Sequence, residues 1–181
     1  MKLKNILFKT TVAALVAVPL TFAQTYNTTG TTTVSVTVGA EAALYIDTST
    51  TSMTTSATTF ANYTGTTNLH YKIRTTTSGG TGTITARVTS DFSPANGPSV
   101  ASPPTAGDTL AYTCTVSSPG TGCSGSQTSS TSSDTSIATF GADAHSAAAG
   151  NTGALAWTLT NDPQYKTGTY TATVTFTVSS T

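Results

Sequence analysis

Residues 167–181 read TGTYTATVTFTVSST. From Tyr170 to Val178 every second residue is apolar, and each residue between is threonine. In a pleated strand successive side chains point to opposite faces, so this alternation predicts one file on a core and one on solvent. Threonine suits the outer file because its branched Cβ is stiff and fits a pleated surface.

The same period recurs upstream. Residues 31–40, TTTVSVTVGA, put Val34, Val36 and Val38 on one face and predict a first strand, continuing past a kink at Gly39 to Leu44 and Ile46. Residues 48–56 are a Ser/Thr tract, read as an edge strand or a loop. In NLHYKIRTTT, residues 68–77, Leu69, Tyr71 and Ile73 point inward, with His70, Lys72 and Arg74 on the other face. Ser78-Gly79-Gly80 is a turn signal, and TGTITARVTSDF follows with Ile84, Ala86 and Val88 inward. These two segments predict a hairpin. The stretch 93–108 carries four prolines and reads as a long crossover between sheets. Residues 109–116 and 136–140 predict further strands. GADAHSAAAG is read as a loop with room for one helical turn. Residues 153–160 and the closing strand complete the set, with Leu155, Trp157 and Leu159 facing Tyr170, Val174 and Phe176. About eight short strands with turns between them predict an all-β fold, an antiparallel β-sandwich of immunoglobulin-like or jelly-roll type.

The opening residues, MKLKNILFKTTVAALVAVPLTFAQ, predict a signal peptide over 1–23. A basic start precedes a short apolar run, and small residues precede the cut after Ala23. That run is too short to span a bilayer, which takes about 20 residues. The expected mature chain, 24–181, is one domain without a membrane span, exported to the periplasm, the cell surface or beyond. It keeps four cations (Lys72, Arg74, Arg87, Lys166) against seven carboxylates, a net charge of −3. That balance disfavours nucleic acid as a partner. The two cysteines, Cys114 and Cys123, flank a Pro/Gly-containing loop and predict a disulfide, as expected of an exported chain.

No catalytic set is legible. The histidines, His70 and His145, sit beside no recognisable nucleophile, and no GxSxG elbow is present. Glu41 is the single glutamate, and the aspartates cluster at turns, where they bond their own backbone. No calcium-loop or zinc pattern appears, so neither an enzyme nor a metal or other cofactor is expected. Trp157 alternates in phase with leucines and reads as core. Tyr63, Tyr71 and Tyr165 are the aromatics left for a glycan.

The two ends of the chain resemble subunits of chaperone–usher pili and the spore coat U-like proteins similar to them. In those families the last strand typically begins at a glycine fourteen residues from the C-terminus; here that residue is Gly168, followed by Tyr170, Val174, Phe176 and Val178. The penultimate residue is Ser180 rather than an aromatic, and 39–43 lack the early cysteine. The resemblance implies a non-enzymatic fibre, coat or matrix subunit whose partners are copies of itself or related subunits. An N-terminal segment bearing Val34, Val36 and Val38 would complete a neighbour's sheet. From residues alone, pairing within its own domain is the simpler reading of that segment, and Ser180 favours a self-sufficient sandwich. A glycan-binding sandwich is the alternative.

Overall fold

The computed structural model describes residues 28–55 and 59–181, so the predicted signal peptide lies outside the described residues. The chain divides into two units, Met1–Val36 and Thr37–Thr181. Every strand lies in the second. In the first, the described residues 28–36 carry no strand, and Val34 and Val36 are 90% and 85% exposed.

Ten strands form two antiparallel sheets. They are β1 (Glu41–Ile46), β2 (Thr54–Thr55), β3 (Tyr63–Arg74), β4 (Gly82–Ser93), β5 (Leu110–Val116), β6 (Thr121–Gly122), β7 (Gln127–Thr128), β8 (Thr135–Phe140), β9 (Asn151–Leu159) and β10 (Thr171–Ser180). The first sheet runs β1-β3-β9-β5-β7, with β2 beside the far end of β3; the second runs β10-β4-β8-β6. The fold is therefore the expected all-β sandwich, with two more strands than the eight anticipated. The extra ones are two-residue pairings too short to leave a periodic signal.

Alternation builds the core. Leu69, Tyr71 and Ile73 of β3 and Leu155, Trp157 and Leu159 of β9 meet Ile84, Ala86 and Val88 of β4 and Ile137 and Phe140 of β8. All are at most 7% exposed. The Tyr71 and Phe140 rings pack edge to face across the two sheets, 5.2 Å between centroids. Trp157 donates its indole N–H to the buried Thr67 hydroxyl at 2.8 Å, so its one polar atom is satisfied.

Two expectations are corrected here. First, β3 and β4 are not a hairpin. They lie in different sheets, and 75–81 form an arch over the end of the sandwich. The arch backbone bonds elsewhere: Thr75 N–H donates to Ala144 O and Thr76 N–H to Thr181 O, both at 2.9 Å. β3 takes β1 and β9 as its neighbours, and β4 takes β10 and β8. Second, the Val34/Val36/Val38 file forms no strand among the described residues; the first strand begins at Glu41. Alternation supplies a face but no partner edge, and β3 is already flanked by β1 and β9. The 93–108 segment does cross between sheets, from β4 to β5. GADAHSAAAG holds two turns and no helix, with His145 bridged to Arg74.

Candidate functional site

A constant-type immunoglobulin sandwich places strands A, B, E and D in one sheet and C, F and G in the other. Here β1-β3-β9-β5 follows A-B-E-D, and β10-β4 follows F-C. Among the described residues no strand occupies the place of G, on the free edge of β10. The inward residues of β10 register that vacancy. Ala172, Val174, Phe176 and Val178 are only half-buried, while their neighbours Ile84, Ala86 and Val88 on β4 are at most 2% exposed. Across from β10, the edge strand β1 shows the same pattern: Ala42, Leu44 and Ile46 are half-buried.

β1 and β10 approach each other. Beyond Ile46 the chain swings away through 48–53, and a cleft of about 900 Å³ opens between that segment and β10. Its floor is apolar, made by Trp157, Leu159 and Leu110 of the first sheet, and Val174 and Phe176 form its wall. Gly65 of β3 makes the swing possible: a Cβ there would lie 2.9 Å from Ser52 O and 3.2 Å from the Met53 side chain.

The loop 160–170 rims the cleft. Tyr170 precedes β10 rather than belonging to it; its hydroxyl donates to Lys166 O at 2.7 Å and its ring lies against Gly97, where any Cβ would strike it. Gly168 also falls in this loop. Its φ is not left-handed, and an added Cβ would meet only the Tyr170 ring, at 3.6 Å, an ordinary contact. Asp108 and Asp162 come together beside the cleft, each over nine-tenths buried. Tyr165 donates to Asp108 Oδ2 at 3.1 Å, and Gln164 N–H donates to Asp162 Oδ1 at 2.6 Å. Burial, helped by the neighbouring Asp162 carboxylate, raises the Asp108 carboxyl above its ordinary value despite the Tyr165 hydrogen bond. Hydrogen bonds from Thr105 and Gln164 lower that of Asp162. Burial, with Asp108 next to it, pushes the Tyr165 phenol up.

The disulfide Cys114–Cys123 is formed, with the Cα atoms 5.4 Å apart. It joins β5 of the first sheet to the residue after β6 of the second, so it crosses the sandwich. Such a bond fits an extracellular or periplasmic compartment. Among the described residues no helix is long and apolar enough to cross a membrane, and no group of three His, Cys, Asp or Glu side chains is placed to hold a metal.

The sequence-predicted residues thus separate. Val174, Phe176 and Val178 belong to one half-covered row, and Val34, Val36 and Val38 to an exposed stretch that forms no strand among the described residues. Arg74 fixes where that stretch leaves the sandwich: its Nε donates to Gly39 O at 2.6 Å and its Nη2 meets Glu41 Oε2 at 3.0 Å. Of the aromatics considered for a glycan, Tyr71 is 1% exposed and is core, donating to Ser117 O. Tyr63 and Tyr165 are half-buried. Tyr45, which alternation alone did not single out, is 64% exposed. No protein family, curated protein or solved structure matches the chain.

Proposed function

We propose that this chain is a non-enzymatic, exported structural subunit that assembles by strand addition into a surface fibre, coat or matrix. The free edge of β10, bordering a half-covered apolar row, carries the reading. An open edge presents unpaired backbone N–H and C=O groups, and an added strand satisfies them while its side chains fill the row. The occupant that fits is residues 28–38 of a second copy. That segment forms no strand of its own among the described residues, and its exposed valines recur with the two-residue period of Ala172, Val174, Phe176 and Val178. Each valine fully withdrawn from water contributes roughly 1.5–3 kcal/mol.

The test compares the mature chain with a variant lacking residues 24–38 and with Val36→Asp. Sizing and electron microscopy should show polymers for the intact chain, and folded monomers for both variants. A synthetic peptide of residues 28–38 should bind the deletion variant, raise its Tm and slow amide exchange along β10. A strictly monomeric intact chain at high concentration, with no polymer on the producing cells, would sink the reading. So would unfolding of the deletion variant, which would make the segment an ordinary first strand.

A further inference from the structure

We infer that the outer face of the first sheet holds a binding site for a neutral saccharide, built around His70 and Asp47 with Tyr45 at its rim. The register of β1, β3, β9 and β5 creates it. Tyr45 lies opposite His70, which lies opposite Thr152; one row along, Asn68 lies opposite Ala154, which lies opposite Thr115. Asp47 N–H donates to Asn68 O, bringing Asp47 into the second row. Neighbouring strands are about 4.8 Å apart, so these side chains form one compact patch.

The patch is concave. A depression of about 340 Å³ lies between Asp47, Asn68 and His70 on one side and Thr115 and Thr152 on the other. Its centre is low because Ala154, between Asn68 and Thr115, carries so little side chain there. Its volume lies at the low end of the roughly 300–1,000 Å³ typical of ligand sites. His70 Nε2 stands 3.1 Å from Asp47 Oδ1, which holds both groups in place while leaving them accessible, with side chains 50% and 32% exposed. The Tyr45 ring stands beside the imidazole, 6.3 Å between centroids, and extends the patch at its rim.

The chemistry selects the ligand class. An exposed tyrosine face stacks on the C–H face of a sugar ring, since its ring offers apolar surface with little side-chain entropy to lose. A carboxylate accepts from paired hydroxyls, an imidazole and an amide supply both donor and acceptor, and threonine hydroxyls do the same. Among the described residues, the side chains of Asn68, Thr115 and Thr152 make no hydrogen bond within the protein, so they are free to bond a ligand. An anionic ligand is disfavoured by Asp47, and the one nearby cation without an acidic partner is Lys72. An apolar peptide would find hydroxyl, amide and carboxylate where it needs a greasy floor.

This site does not depend on assembly. The intact mature chain is applied to a panel of neutral oligosaccharides, and any hit is titrated by calorimetry. Tyr45→Ala removes the platform. Asp47→Asn removes the charge without changing shape at an exposed position, and so keeps the fold. Binding of at least one glycan, weakened about tenfold or more by each substitution with the circular dichroism unchanged, is the expected result. Any other result overturns the assignment, whether silence across the panel or a variant that binds like the parent.

Discussion

Single residues carry the sharpest consequences of burial. The Asp108–Asp162 pair is a case where two carboxylates share one dry place. Asp108, raised above its unfolded value, contributes stability that is present at low pH and lost as pH rises through its folded value. Asp162, lowered, contributes stability that is present above its unfolded value and lost only as pH falls through its folded one. The two carboxyls face each other, so a charge on either disfavours a charge on the other. Asp108→Asn should therefore raise Tm at pH 7, and should abolish the gain that the parent shows on moderate acidification. Melts between pH 4 and 8 check both statements. Gly97 makes a second residue-scale prediction: Gly97→Ala must displace the Tyr170 ring, and should lower Tm while leaving the β3–β9 core intact by amide exchange.

At the scale of elements, the inward files were legible because alternation with bulky apolar residues has few other uses. Leu69-Tyr71-Ile73, Ile84-Ala86-Val88 and Leu155-Trp157-Leu159 all point where period two puts them. What period two cannot specify is the neighbour. A turn signal at 78–80 looks the same whether the chain folds back beside itself or arches over a core, and here it arches. The valine file at 34–38 shows the converse: a strand-like pattern that pairs with no edge among the described residues. The patch at Tyr45 was illegible for a related reason, since Asp47 reaches His70 only through the pairing of β1 with β3. β10 itself should behave as half of a pair. In the variant lacking residues 24–38, amides bonded to β4 should exchange slowly and the alternate, outward ones quickly, read by mass spectrometry or NMR.

For the whole molecule, the disulfide matters more than its short loop suggests. A loop of this size is worth about 2–3 kcal/mol by chain entropy alone. Because the bond also spans the two sheets beside the β5–β6 connection, Cys114→Ala with Cys123→Ala should cost at least that much, measured by chemical denaturation. The sandwich class followed from strand count and turn spacing. The open side did not, because it depends on which of two sheets receives β1 and which receives β10.

The Arg74 clamp on Gly39 and Glu41 sets how such a subunit would bear tension. In a fibre joined through residues 28–38, force enters the sandwich at Gly39 and runs along the axis of β1. The antiparallel pairing of Glu41–Ile46 with Leu69–Arg74 is then loaded in shear, with its six residue pairs sharing the pull together rather than parting one after another. The Cys114–Cys123 bond lies on β5, which β3 and β9 separate from β1. Mechanical strength would rest on hydrogen bonds that can re-form, with the covalent bond held in reserve behind them.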